Sequence, residues 1–160
     1  MSVRIIGIGN RLRGDDGIGV RVTEEIAKRR PDLRVNAFSS FGLDVLNAMA
    51  GEQHVVVVDG IRSRKLAIGE VAEIRIPPRE SPPGNPDGHR MDLRSLLALG
   101  QAIGLDMPER ITTLGVGIRG PLPFCDHLSG ELGPRLGEIA TTVIRIGLEE
   151  NGAEKPCESP

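Results

Sequence analysis

The sequence predicts an α/β domain in which a mostly parallel, five-stranded sheet carries helices on both faces. Strand-like apolar segments alternate with amphipathic helical segments along the chain. One strand segment, residues 54–59, has four consecutive valines without polar alternation, as expected for a parallel strand buried on both faces. Together these two observations favour a flavodoxin-like three-layer sandwich.

The predicted elements follow one another in a regular order. Strands are expected near residues 3–8, 33–38, 54–59, 70–76 and 110–117, and helices near 16–29, 42–50, 90–103 and 129–149. The inward positions are Ile18, Val22 and Ile26 in the first helix and Leu33, Val35 and Ala37 in the second strand. Residues 70–76 alternate, which favours an edge strand. Residues 77–88 contain five prolines and are predicted to form an extended, mobile flap.

Length and composition restrict the function classes. A chain of 160 residues has single-domain size, so residues 1–150 are assigned to one domain and 151–160 to a disordered tail. The net charge of −2, with three Phe and neither Trp nor Tyr, argues against nucleic-acid and membrane partners. Cys125 and Cys157 have neither disulfide-framework nor zinc-finger spacing. Without a leader-like start, the chain is expected to be cytoplasmic, with reduced thiols.

The first strand runs into a glycine-rich turn that is followed by two acids, Asp15 and Asp16. Such turns usually hold phosphates. Here the acids replace the Lys and Ser/Thr of a P-loop, and Leu12 replaces the third glycine of the dinucleotide motif, so both motifs are excluded. We expect Asp15 to cap the first helix and Asp16 to be a cation ligand.

Two further residues are candidate metal ligands, Asp59 and His89. Asp59 ends the valine-rich strand, and strands 1 and 3 are neighbours in sheets of order 2-1-3-4-5, so Asp16 and Asp59 are expected to converge at the carboxyl edge. His89 follows the proline-rich segment. Two carboxylates and an imidazole suit Ni²⁺ or Zn²⁺ and leave coordination positions open. The simpler alternative makes Asp59 a turn former and His89 an exposed residue at a helix start.

Other nucleophiles and imidazoles are weaker candidates. The nucleophile-elbow pattern G-x-S-x-G is absent, and Cys125 lies in a proline-rich loop near His127, where a packed thiol is the better interpretation. His54 and His127 are expected either at the surface or in supporting positions behind the ligands.

Several of these motifs resemble those of a known protein family. The runs Gly7-Ile8-Gly9-Asn10, Gly14-Asp15-Asp16-Gly17-Ile18-Gly19-Val20, Val57-Val58-Asp59 and Gly88-His89 resemble those of the hydrogenase maturation proteases, over about residues 3 to 148. The resemblance implies a nickel-dependent endopeptidase that processes the large subunit of [NiFe] hydrogenases. It places the metal ligands, which are also the catalytic residues, at Asp16, Asp59 and His89.

The resemblance also implies how the metal is used. The endopeptidase would remove the C-terminal extension of the large-subunit precursor after nickel insertion, with nickel presented by the substrate. We expect other divalent ions, such as zinc or cadmium, to be able to substitute in a crystal. One departure concerns residues 37–42, where many members have an acidic segment and this chain has Ala-Phe-Ser-Ser-Phe-Gly, which keeps only the hydroxyl of Ser40 and the helix start at Gly42.

Two other functions stay open on the residues alone. One is a non-catalytic flavin- or nucleotide-binding module, disfavoured by the acids at the helix mouth and by the scarcity of aromatic residues. The other is a self-contained zinc amidohydrolase, disfavoured because an H-E-x-x-H helix is absent. Six cations also flank the proposed ligands and are predicted to form a rim that docks an acidic segment of the precursor: Arg11, Arg13, Arg62, Arg64, Lys65 and Arg90.

Overall fold

The computed structural model describes residues 2–74 and 92–149. The strands are β1 (Val3–Ile8), β2 (Arg34–Phe38), β3 (His54–Arg62), β4 (Val71–Glu73) and β5 (Arg110–Ile118). The helices are α1 (Ile18–Arg29), α2 (Leu43–Met49), α3 (Leu93–Ala102) and α4 (Leu136–Glu149), with short 3-10 turns at Gly14–Gly17 and Gly133–Arg135. Within the described part of the chain, no helix is long and apolar enough to cross a membrane.

The sheet has the strand order β2-β1-β3-β5-β4, and only β4 is antiparallel to its neighbour. The predicted α/β class, the mostly parallel sheet and the pairing of strands 1 and 3 are confirmed. Beyond β3 the strand order differs from 2-1-3-4-5, because β5 lies next to β3 and β4 forms the outer edge of the sheet. Only residues 63–70 connect β3 to β4, and a parallel crossover needs a dozen or more residues. The expected edge strand is therefore shorter than predicted and runs in the opposite direction.

Helices cover both faces of the sheet. Helices α1 and α4 pack on one face against alternate strand residues that include Val56 and Val58. Helices α2 and α3 pack on the other face against Val55 and Val57. All four valines are 0% exposed, so β3 is buried on both sides as predicted. Each such side chain contributes about 1.5–3 kcal/mol relative to an exposed position.

Two local predictions need correction. Ala37 is exposed although it was expected to face inward, because β2 is an edge strand of the sheet. The next residue, Phe38, packs against the opposite core instead. The last helix begins at Leu136 and not near residue 129, because Gly133 and Pro134 form a 3-10 turn that delays its start.

The amino edge of the sheet, where β1, β2 and β3 begin, carries a buried ion cluster. The side chain of Glu52 is 2% exposed. Its Oε1 accepts hydrogen bonds from Arg4 Nε at 2.9 Å and Nη2 at 2.7 Å, and it lies 2.9 Å from Arg34 Nη1. Arg4 also donates to the side chain of Asn36. The buried carboxylate at this edge is therefore held by two arginines of the same chain.

His54 lies at the same amino edge and is 0% exposed, with Nε2 3.0 Å from Thr112 Oγ1. The expectation that His54 lies at the surface or supports the metal ligands was wrong. As the first residue of β3, it stands at the opposite end of that strand from Asp59.

Candidate active site at the carboxyl edge

A cleft of about 390 Å³ opens at the carboxyl ends of β1 and β3. Asp16 and Asp59 both line it, as the strand order predicted. β1 and β3 pair in parallel, with Ile8 opposite Asp59, so the two strands end at the same level. The structure thus brings together two of the three residues that the sequence singled out.

Asp16 is positioned by the turn that follows β1. Its Oδ2 accepts a hydrogen bond from the backbone N–H of Asn10 at 3.1 Å, which ties the carboxylate to the loop. Gly9 has φ 157°, and a Cβ there would collide with the carbonyl oxygen of Asp16. The close approach of Gly9 to Asp16 therefore requires glycine at position 9.

Helix α1 is held against the strand ends by a second close approach. A Cβ at Gly19 would collide with the carbonyl oxygens of Ile8 and Val58, which belong to β1 and β3. A Cβ at Gly7 would in turn collide with the backbone of Gly19. Main-chain contacts therefore fix the start of α1, and with it the turn that carries Asp16, relative to both strands.

Asp15 does not cap α1, and that prediction was wrong. Residues 14–17 form a 3-10 turn, and α1 begins at Ile18 after Gly17, without a side-chain cap. Asp15 Oδ1 instead accepts a hydrogen bond of 2.7 Å from the backbone N–H of Ser129. This tie between distant segments leaves the two adjacent acids with different roles.

Strand β3 extends three residues beyond its predicted end, to Arg62. Asp59 and Gly60 are half-buried, and Arg62 is exposed and lines the cleft. The extension is paired with β5, where Arg62 lies opposite Ile118. A rim cation is thus placed at the cleft by the sheet itself.

Asp92 is a cleft residue that the sequence analysis did not single out. It lies at the cleft and caps α3, where its Oδ1 accepts a hydrogen bond from the backbone N–H of Ser95 at 2.7 Å. The signal was available, because Asp followed three residues later by Ser before a leucine-rich run indicates a helix start. The cleft therefore carries three carboxylates and one guanidinium, with a negative balance.

The side of the cleft that follows β2 carries no charged side chain. Ser39, Ser40 and Phe41 line the cleft after β2. Gly42 precedes α2 with extended backbone, so the predicted helix start at that residue is confirmed. A hydroxyl side faces an acidic side across this cleft.

Several predicted residues lie outside the described residues: His89, Arg90, Cys157, the segment 77–88 and the tail 151–160. Among residues 2–74 and 92–149, no group of three His, Cys, Asp or Glu side chains is arranged to hold a metal ion. The metal set of Asp16, Asp59 and His89 therefore stays a prediction. Of the other two candidates, Cys125 is a half-buried free thiol, and the side chain of His127 is 77% exposed.

A second cleft, of about 400 Å³, lies between β4 and α4. Its cation Arg135 is already engaged, donating to the carbonyl oxygen of Ile68 at 2.7 Å and lying 3.6 Å from Glu138. None of the predicted ligands lines this cleft. The carboxyl-edge cleft is therefore the better candidate site.

Comparison with known proteins identifies the family. No family model matches the chain. The hydrogenase 2 maturation protease of Escherichia coli (strain K12) is 30% identical over 158 residues, covering 93% of this chain and 94% of that protein. This chain belongs to the hydrogenase maturation protease family.

The chain is also similar to a second curated protein and to solved structures. The hydrogenase expression/formation protein HupD of Thiocapsa roseopersicina is 26% identical over 161 residues, covering 92% of this chain and 66% of that protein. The solved structure of the hydrogenase maturating endopeptidase HybD from E. coli superimposes with a TM-score of 0.69 at 25% identity, covering 95% of this chain and 94% of that one. HybD from Thermococcus kodakarensis has the same fold, with a TM-score of 0.64 at 22% identity, over 92% and 99% of the two chains.

Proposed function

We propose that this protease removes the C-terminal extension of a [NiFe] hydrogenase large-subunit precursor after nickel has been inserted. The observation that carries the proposal is the convergence of Asp16 and Asp59, from separate elements, on one open cleft in a chain of this family. Hydrogenase maturation proteases are named for the maturation of hydrogenases, which supports a hydrogenase precursor as the substrate, and an open cleft at the carboxyl edge is where doubly wound folds bind ligands.

His89 completes the proposed ligand set. Asp92 lines the cleft, and His89 precedes it by three residues, a stretch of chain that spans at most about 11 Å. A stretch of this length allows the imidazole to enter the cleft that Asp16 and Asp59 line. Carboxylate oxygens and a neutral imidazole nitrogen form a borderline-hard donor set, which suits nickel as well as zinc or cadmium.

In this proposal nickel belongs to the substrate. Asp16, Asp59 and His89 bind the nickel-bearing centre of the precursor and so place the scissile bond at the cleft. A divalent ion at an open site polarises a carbonyl or lowers the pKa of a bound water. The hydrogen bond from Asn10 holds one Asp16 oxygen in place, which orients the carboxylate before the substrate arrives. Cleavage then depends on nickel loading, so the protease acts as a checkpoint.

Incubation with matched precursors tests the proposal. Nickel-loaded and nickel-free large-subunit precursors are mixed with the protein, and products are identified by intact-mass spectrometry. We expect only the nickel-loaded precursor to lose its C-terminal segment. Equal cleavage of both forms would contradict recognition of nickel, and cleavage of neither would contradict the proposed substrate.

A further inference from the structure

Exposed apolar side chains are concentrated around the cleft. Among the described residues, five large apolar side chains are strongly exposed, and three of them, Leu12, Leu43 and Phe124, lie in loops or helix starts at the carboxyl edge. Phe124 is 85% exposed and Leu12 51%. Single exposed apolar residues are normal at a protein surface, but an aromatic and a leucine side by side are a feature of interaction sites.

Leu12 and Phe124 are held next to each other by backbone pairing. The loop after β5 forms a parallel bridge to the loop after β1, between Arg13 and Cys125. The Cys125 N–H donates to the Leu12 carbonyl oxygen, and the Gly14 N–H donates to the Cys125 carbonyl oxygen, both at 3.0 Å. Leu12 and Phe124 each precede the bridge by one residue, so they occupy neighbouring positions.

The loop that carries Phe124 is fixed at further points. The Ser129 N–H donates to Asp15 at 2.7 Å, and Arg21 donates to the carbonyl oxygen of Asp126. A binding surface that is ordered in advance loses less conformational entropy when a partner binds. We name Leu12 and Phe124 together the apolar pair.

Cations without partners border the apolar pair. Arg13 is exposed, and its side chain makes no hydrogen bond or ion pair with any residue that the structure describes. The same holds for Arg62, whose guanidinium lies over Gly120, where the loop leading to Phe124 begins. By contrast, Arg11 is paired with Glu24. Unpaired guanidinium groups beside an apolar surface favour a partner that combines apolar and acidic side chains.

We propose that the apolar pair, flanked by Arg13 and Arg62, is the docking surface for an apolar, acid-bearing segment of the precursor outside the scissile region. This inference rests on the proposed function. Leu12 precedes Asp16 by four residues on the same turn, so a segment bound there is delivered directly to the cleft. A second copy of this chain fits less well, because a two-fold contact centred on the pair would bring unpaired arginines together.

Steady-state kinetics with the nickel-loaded precursor tests the docking surface. Phe124→Ser is expected to raise KM about 30-fold, the effect of losing an interfacial anchor, and to leave kcat unchanged. Arg13→Ala is expected to raise KM several-fold and to weaken its salt dependence. The matched control is Ile103→Ser, because Ile103 is 59% exposed just after α3, away from the cleft, and KM should not change there.

The outcomes separate the two proposals. If the wild type cleaves the precursor and Phe124→Ser has the same KM as Ile103→Ser, the docking surface is wrong and the proposed function stands. If the wild type does not cleave the precursor, both proposals fail. If light scattering shows that the wild type is a dimer and that Phe124→Ser is a monomer with the same KM, the apolar pair serves self-association and the docking proposal is wrong. Should Phe124→Ser unfold, Phe124→Leu is expected to fold and to raise KM by a smaller factor, and an unchanged KM overturns the proposal.

Discussion

The two edges of the same sheet use charged residues in opposite ways. At the amino edge, the carboxylate of Glu52 is 2% exposed and is bound by two arginines. At the carboxyl edge, Asp16 and Asp59 line an open cleft, and the side chain of Arg62, which also lines it, has no hydrogen-bond or ion-pair partner among the described residues. Removing one member of a buried ion pair strongly lowers the free energy of unfolding. Like charges that line one cleft repel each other instead, and a bound cation would relieve that repulsion.

The difference teaches where to look for function in a sheet of this kind. Titratable residues alone do not distinguish the edges, since both have them. The distinction is burial, because the carboxylate of the amino edge is enclosed by arginines of the same chain, whereas the carboxylates of the carboxyl edge line an open cleft. The comparison predicts that substituting the charges that line the cleft changes activity with little change in stability, and that substituting the buried, paired charges of the amino edge does the reverse.

The largest effect is expected for Asp59→Asn. Asparagine keeps the size of the side chain and removes one of the charges that share the cleft, so the free energy of unfolding should be unchanged or slightly raised. Processing of the nickel-loaded precursor should be lost, with kcat/KM at least about 1,000-fold lower, because a proposed metal ligand is removed. Product formation by mass spectrometry and thermal melting measure the two quantities.

Asp15→Ala is the control for that substitution. It removes the acceptor of the Ser129 hydrogen bond and should lower the free energy of unfolding by about 1.5–3 kcal/mol, while kcat per folded molecule is largely kept. If Asp59→Asn lowers the melting temperature sharply and processing survives, Asp59 is a structural residue. The proposed contrast between the two edges of the sheet would then be wrong.

Glu52→Gln tests the amino edge. The substitution leaves Arg4, whose side chain is 16% exposed, without its carboxylate, and we expect the free energy of unfolding to fall by about 3 kcal/mol. Urea denaturation measures it, and kcat/KM of the folded fraction should match the wild type.

The matched control is Glu25→Gln, which breaks the more exposed pair with Arg29 and should cost at most about 1 kcal/mol. If Glu52→Gln and Glu25→Gln lower the free energy of unfolding equally, burial of the amino-edge cluster does not increase the cost of breaking its ion pairs.

The smallest effect is expected from the cation rim. Replacing Arg62 and Arg64 by alanine should slow association with the precursor about 3- to 10-fold at low salt and flatten its salt dependence, since exposed charges are screened over about 8 Å at 0.15 M. Stopped-flow or biosensor association rates at several salt concentrations measure this.

Arg29→Ala with Arg30→Ala is the corresponding control near the end of α1. Both arginines already have acidic partners there, and the guanidinium of Arg30 holds the pKa of the Asp32 carboxyl below its usual value through a direct hydrogen bond. This pair of substitutions should leave the salt slope unchanged. Identical slopes for the rim variant and the wild type would rule out steering by the rim.

Much of the fold could be predicted because its signals are local. The unbroken valines of β3 and the stripe of Ile18, Val22 and Ile26 report burial directly, and all of them are 0 % exposed. The position of β4 was harder to predict, because it depends on a short connection and on competition for the edge of β5. Which strand lies at the edge depends on the whole sheet, so the alternation of residues 70–76 alone does not predict the neighbour or the direction of that strand.

The candidate site was predictable to the extent that strand ends fix it. Asp16 and Asp59 follow strands 1 and 3, so topology alone brings them to one cleft. The role of Asp15 was not predictable, because its partner Ser129 is 114 residues away. The presence of Asp92 in the cleft was missed for a similar reason, since its capping motif says where a helix begins and not what that helix start faces.

The tight contact at Gly19 has a consequence for how such proteases diversify. Because the start of α1 rests on the main chains of β1 and β3, the framework behind Asp16 does not depend on the loop side chains in front of it. Residues such as Leu12 and Phe124 can therefore be exchanged without disturbing that framework. Changes to these outer-loop residues are therefore expected to alter which precursor segment docks, while the turn that carries Asp16 keeps its position.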